Sequence, residues 1–269
     1  MENYMITMKR KFTEKLIHWK ENNISQPLMV IGARQTGKTY VLRKFCEDSF
    51  ENNIYINFEE QKEYIQFFEE SLNPEEIIRK IEVFRSEKID IEKTVIFFDE
   101  IQACEKAVTA LKYFNESKKN YKVVCAGSLL GVAINRHGSS FPVGKVYVEK
   151  MFPMDFEEFL LASGEEMLAE EISRSYQHLK RMSEPLHKKA IDLYRQYLCV
   201  GGMPAAVMEY VKKGKDLTLF DRNVHSNIIF SYLADMSKYT SGTQAVKTNQ
   251  VYNSIPAQLA KENKKFAYK

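Results

Sequence analysis

The chain has 269 residues, 44% of them hydrophobic and 28% charged, with a net charge of +3 from 39 Lys and Arg against 36 Asp and Glu. These fractions are ordinary for globular proteins and exclude wholesale disorder and fibrous classes, and the near-balance of charge does not by itself announce a nucleic-acid or membrane partner. At roughly 150 residues per domain the length predicts about two domains, or one large α/β domain with an appendage. Apolar runs such as Val95–Phe98 fall far short of the roughly 18–20 residues of a membrane span, and the N-terminus, with Glu2, Lys9, Arg10, Lys11 and Glu14, has no apolar leader core. The scattered cysteines (Cys46, Cys104, Cys125, Cys199) form no C-x-x-C pair, which predicts reduced thiols in a cytoplasmic protein rather than disulfides or a zinc site.

Pro27 to Ile31 is a short apolar run ending at Gly32 and reads as a buried parallel strand; a helix follows over Thr39 to Phe45. Ile54–Phe58 is a second strand candidate. Asn73-Pro74-Glu75-Glu76 is a helix start, with Asn73 as cap and Pro74 in the first turn, and predicts a helix to about Phe84. Thr94 to Phe98 is a third strand, ending in Asp99-Glu100. A helix with Ala107, Ala110 and Leu111 on one face comes next, then a fourth strand, Lys122 to Ala126, and a fifth candidate over Val143 to Glu149. This alternation predicts an α/β fold, a mostly parallel sheet with helices on both faces that binds ligands beyond the carboxyl ends of its strands. Near Met151 the strand pattern stops. Phe152-Pro153-Met154-Asp155 reads as a hinge-like stretch, helical patterns run over Phe156–Leu161, Glu165–Leu179 and Leu186–Val200, and Gly201-Gly202-Met203-Pro204 breaks the chain.

The chemistry is concentrated in Gly32-Ala33-Arg34-Gln35-Thr36-Gly37-Lys38-Thr39, a full match to G-x-x-x-x-G-K-[ST] placed between a strand and a helix. The glycines let backbone N–H groups curl around phosphates, and the following helix points its positive end at the same anion. The whole stretch from Gly32 to Tyr40 is the predicted nucleotide contact, with Lys38 reaching the β- and γ-phosphates and the Thr39 hydroxyl ligating Mg²⁺. Val95–Phe98 then delivers Asp99 as a second Mg²⁺ support and Glu100 as the general base for the attacking water. Ser128, at the end of the fourth strand, contacts the γ-phosphate or the water, or else serves as a turn or cap serine. A charge-stabilising arginine comes from Arg136 or from a neighbouring subunit in a homo-oligomer. Arg34 makes structural pairs or orients the loop. The strand Ile54–Phe58 intervenes between the P-loop strand and the Asp-Glu strand, as in the ATPase branch with an additional catalytic glutamate. The histidines show no metal-ligand spacing, and no Ser-His-Asp arrangement is evident.

Taken together, these motifs resemble the prokaryotic AAA-domain ATPases of the AAA_14 group that carry a C-terminal DUF4143 domain. The resemblance extends through Phe98–Gln102, Ala126–Gly131, Phe141–Val146, Met151–Leu160 and Gly201–Pro204. It implies an AAA-like core over residues 1–152, a helical connector or lid over 153–225 and the start of a winged-helix-like region over 226–269. Tyr252–Asn263 would open that winged helix, and the chain stops at Lys269 with the rest of the element and the DUF4143 module missing. The expectation is therefore a truncated product, to which no nuclease-like activity is carried over.

The resemblance also implies ATP as substrate, since no guanine-binding N/T-K-x-D motif occurs. The terminal Lys261, Lys264, Lys265 and Lys269, with Phe266 and Tyr268 among them, form either a DNA phosphate contact or a solvated helix face. The first expectation is an Mg²⁺-dependent ATPase whose hydrolysis drives a domain rearrangement, acting with DNA or a partner protein. The alternative is a nucleotide-gated DNA-binding or scaffold protein with little turnover. No membrane partner is expected.

Overall fold

The computed structural model describes residues 8–128, 142–238 and 242–261. Five strands, β1 (Leu28–Gly32), β2 (Asn52–Asn57), β3 (Thr94–Asp99), β4 (Lys122–Ser128) and β5 (Tyr147–Lys150), pair in parallel in the order β2-β3-β4-β1-β5. The apolar inner strands β3, β4 and β1 are buried almost throughout, whereas β2 and β5 are partly exposed as edges. The fold is thus the α/β parallel sheet that the alternation predicts. One detail differs. The strand between the P-loop strand and the Asp-Glu strand is β4, not the Ile54–Phe58 strand, which precedes it in the chain but lies at the far edge as β2. Sequence order cannot show this, because a crossover helix can carry the chain over several strands.

Successive side chains of a strand point to opposite faces, so the inner strands feed two cores. Met29, Ile31, Ile96, Phe98, Val123 and Cys125 pack with helices α3 (Glu63–Glu70), α4 (Pro74–Arg85) and α5 (Glu105–Glu116). Leu28, Val30, Val95, Phe97, Val124 and Ala126 pack with α1 (Phe12–Glu21) and α2 (Lys38–Ser49). In the first core Phe98 meets Phe58, Phe68 and Phe114 at centroid distances of 5.6, 5.5 and 6.1 Å. Such pairs add about 0.5–1.5 kcal/mol each beyond area burial. At α4 the predicted cap is present: the Asn73 side chain accepts from the Glu75 N–H at 2.9 Å, with Pro74 in the first turn. Helices α1 and α3 escaped the sequence reading, α3 because it has only 8 residues.

Beyond the sheet, α6 (Phe156–Ala162), α7 (Glu166–Gln177) and α8 (Glu184–Val200) follow the predicted helical patterns, and α9 (Pro204–Lys212) begins at the Gly-Gly-Met-Pro break. Leu160, Leu168, Ala169, Ala190 and Leu193 form their own core. Residues 151–155 are held on several sides. Met151 N–H donates to Ile31 O at 2.9 Å, Met154 N–H donates to Gly202 O at 2.6 Å, and the Tyr197 hydroxyl donates to Met154 O at 2.9 Å. The chain divides into two compact units between Asp221 and Arg222. In the second unit the described residues form helices α10 (Asn223–Lys238) and α11 (Thr243–Leu259), with no wing hairpin among them. Residues 252–259 of the stretch read as a winged-helix start lie inside α11. Among the described residues, no helix is long and apolar enough to cross a membrane.

Gly202 lies so close to Met154 that a Cβ there would sit 2.0 Å from the Met154 carbonyl oxygen. Gly202→Ala is therefore expected to force two backbone segments apart at a cost of about 1–3 kcal/mol, read as a lower urea midpoint. An unchanged midpoint would show that this segment is not seated against Met154.

Candidate functional site

The P-loop grows directly out of β1. Gly32 ends the strand where a Cβ would lie 2.3 Å from Met151 O, so no larger residue fits without moving the backbone. Gly37 caps α2 with a φ of +91°, a left-handed conformation that glycine adopts without a steric cost. Thr36 Oγ1 donates to Ala33 O at 3.0 Å and holds the loop closed. Lys38 Nζ donates to Gly32 O at 3.0 Å and Ala33 O at 2.8 Å, which keeps the ammonium over the loop. The first turn of α2 carries no acidic residue, so its positive end is not neutralised from within.

The carboxyl ends of β3 and β4 converge on this loop. Register pairs Gly32 with Ser128 and Asn57 with Asp99. Asp99 Oδ2 accepts from Thr39 Oγ1 at 2.8 Å and from the Tyr55 hydroxyl at 2.9 Å, and Oδ1 accepts from the Glu100 N–H at 3.0 Å. Burial first, and then the Asp99 charge, pushes the Tyr55 hydroxyl up to about 12, so it remains a donor at neutral pH. Arg43 lies 4.8 Å from the Tyr55 ring centroid and helps to fix the ring.

Glu100 has a φ of +47°, left-handed for a residue with a Cβ, a conformation that costs roughly 1–2 kcal/mol. Burial pushes its carboxyl above the ordinary glutamate value, opposed by a hydrogen bond from Gln102. Gln102 Nε2 donates to Glu100 Oε2, while Gln102 Oε1 accepts from the Ser128 N–H at 3.3 Å.

The sequence-predicted residues Gly32 to Thr39, Asp99, Glu100 and Ser128 therefore share one end of the sheet. Arg34 pairs with Glu59 at 3.3 Å. Tyr40 is half-exposed on α2. Arg136 and the terminal Lys264, Lys265 and Lys269 lie outside the described residues. Among the described residues, no group of three or more His, Cys, Asp or Glu side chains converges as a metal cage.

Sequence reasoning gave no role to Tyr55, Gln102, Arg10 and Glu158. Arg10 is 8% exposed, and its guanidinium donates to Thr36 O at 2.7 Å, Phe152 O at 2.6 Å and Glu158 Oε1 at 3.0 Å. Glu158 also closes the capping box of α6, accepting from the Asp155 N–H at 3.1 Å, and its Oε1 takes the Lys11 N–H at 2.8 Å. The Asp155-x-x-Glu158 spacing was a readable signal for the cap. No local pattern points to the partner 148 residues away. Removing one member of a buried pair leaves the other charged and unpaired, which costs about 3–5 kcal/mol. Arg10→Met and Glu158→Leu are each expected to destabilise by that order in urea titration, and the double variant by clearly less than their sum. Additive losses would rule out this coupling.

Residues 25–160, just over half of the chain, match the family model for the AAA domain (AAA_14). Residues 191–269 match a domain of unknown function, DUF8612, and not a DUF4143 module. No curated protein matches. Among solved structures, the Aeropyrum pernix ORC2 protein in its ADPNP-ADP complexes is 13% identical over 61% of this chain and 54% of that one, with a TM-score of 0.42. Its ADP form is 11% identical over 85% and 70%, also with a TM-score of 0.42. Caenorhabditis elegans PCH-2 is 15% identical over 91% and 59%, with a TM-score of 0.33. The chain thus spans about half the length of the first of these structures, and similarities this low carry no argument about activity. The family match covers the P-loop and the strand ends around it, and the chain belongs to the AAA domain family.

Proposed function

We propose that this protein is an ATPase that hydrolyses ATP at the carboxyl end of its sheet and passes the change in P-loop contacts to its helical segment. One observation carries the reading: Thr39 Oγ1 and Asp99 Oδ2 meet at 2.8 Å where the P-loop opens into α2, with Lys38 and Glu100 beside them in the chain. Thr39 and Asp99 are hard oxygen donors of the kind Mg²⁺ takes, so the pair fits that ion. Bound there, it would neutralise charge on the β- and γ-phosphates.

In this reading the backbone N–H groups from Gly32 to Tyr40 and the Lys38 ammonium hold the phosphates. Glu100 takes the proton of the attacking water, a role suited to a carboxyl that burial makes more basic. Ser128 hydrogen-bonds the γ-phosphate or that water. The charge-stabilising arginine is Arg136 or comes from a second copy of the chain. Arg10 supports the coupling to residues 152–158, because it donates at once to the P-loop carbonyl of Thr36 and to Phe152 and Glu158.

A DNA partner is a further part of the proposal. It is favoured by the composition of residues 242–261, which include Lys247 and Lys261 and not one Asp or Glu.

Phosphate release from ATP, measured together with nucleotide binding, tests the assignment. Lys38→Ala is expected to lose both. Glu100→Gln is expected to bind nucleotide and lose about 10²–10⁴-fold in turnover, the usual contribution of a positioned base. Full turnover by Glu100→Gln would overturn the role of Glu100. For DNA, a Lys247→Glu/Lys261→Glu variant is expected to bind more weakly, with a salt slope shallower by about 1.8 for two lost phosphate contacts. An unchanged slope would remove these lysines from any DNA surface. DNA binding that follows the ATP state without phosphate release would instead favour a nucleotide-gated scaffold.

A further inference from the structure

Glu100 follows β3 on a strained backbone and carries a side chain with three rotatable bonds. A base that must face one water cannot be left to choose among rotamers, and misplacement by about 1 Å can cost roughly 10²-fold in rate. What holds the carboxylate is the side chain two residues on. Gln102 sits in the 3₁₀ turn Ile101–Ala103, whose Ile101 is fully buried in the core beneath α3 to α5. The turn is closed by Ala103 N–H to Glu100 O at 2.9 Å and Cys104 N–H to Ile101 O at 3.0 Å. Gln102 is itself 8% exposed and is used at both ends, its Nε2 donating to Glu100 Oε2 and its Oε1 accepting from the Ser128 N–H at 3.3 Å. Ser128 in turn stands in register beside Gly32, the first residue of the P-loop.

We infer that Gln102 is a positioning residue that holds the Glu100 carboxylate and ties it, through the end of β4, to the start of the P-loop. The inference rests on Glu100 acting as the base and adds to that reading the device that aims it. An amide suits the task because it is neutral and offers a donor at one end and an acceptor at the other. A glutamate in its place would keep the acceptor for the Ser128 N–H but set oxygen against oxygen at Glu100. An apolar side chain of the same length would supply neither bond.

The two variants separate the two ends. Gln102→Glu keeps the acceptor for the Ser128 N–H but replaces the donor to Glu100 with a second carboxylate oxygen, and Gln102→Met removes both bonds while keeping the bulk. Steady-state phosphate release, nucleotide affinity and melting temperature are measured for each, alone and combined with Glu100→Gln. The expected result is a kcat reduced about 10- to 100-fold in both, with KM and nucleotide Kd within about twofold of the parent. In the Glu100→Gln background neither change is expected to reduce turnover further, since there is no carboxylate left to aim. If Gln102→Met melts early, Gln102→Glu still gives the answer, because its Ser128 bond is kept.

Three results overturn the inference. One is a wild-type kcat in both Gln102 variants while Glu100→Gln is inactive, which leaves the ATPase reading intact. Another is a loss of kcat accompanied by equal changes in KM and melting temperature, the mark of a purely structural role. The third is full turnover by Glu100→Gln, which removes the base itself and the inference with it.

Discussion

A guanidinium cannot be taken out of water unless its N–H groups find partners, and Arg10 meets that demand with three segments at once. The P-loop carbonyl of Thr36, the Phe152 carbonyl and the Glu158 carboxylate all converge on it. Each partner is fixed by something else. Thr36 belongs to a loop pinned by glycine geometry, Phe152 follows a methionine bonded to β1, and Glu158 closes the cap of α6. Arg10, the P-loop and the first helix after the sheet therefore cannot shift independently. A Cβ built on Gly37 would lie 3.5 Å from Arg10 Nη1 and 3.7 Å from Pro204 Cγ, so the Gly-Gly-Met-Pro segment reaches the same point.

The strand ends above this clamp give two adjacent carboxylates different surroundings. Asp99 receives three hydrogen bonds, from Thr39, Tyr55 and the Glu100 N–H. Glu100 has burial raising its pKa and one amide bond opposing that rise. The backbone makes the difference. Asp99 is the last residue of β3 and continues its alternation, whereas the left-handed turn at Glu100 swings the chain away from the sheet. Two carboxylates at neighbouring positions thus sit in different surroundings.

Much of this was legible in the chain. The P-loop is visible because its function depends on backbone shape, which demands glycine at set positions and leaves a pattern. The inner strands are visible because burial on both faces requires unbroken apolar runs, as in Val95–Phe98. Helix α4 is visible because Asn73-Pro74 is a local start signal. Helix α3 was not, since 8 residues hold barely two turns of periodicity. The hinge-like reading of residues 152–155 came from proline and small-motif cues, yet Met151 and Met154 are buried and backbone-bonded on both sides. Local composition reports what a segment can do alone and not what packs against it.

By itself the sequence determined the α/β class, the nucleotide loop, the carboxylates at the end of β3 and the change to helices near Met151, because each depends on residues close together in the chain. Only the tertiary structure decided the strand order, which puts β4 rather than β2 beside the P-loop strand. It also decided the partners of Asp99, Glu100 and Arg10. The Arg10–Glu158 pair spans 148 residues, the Thr39–Asp99 bond 60 and the Gln102–Ser128 bond 26. Pairings at such separations are set by how strands and helices pack in three dimensions, and with a single sequence nothing in local periodicity, propensity or spacing encodes them.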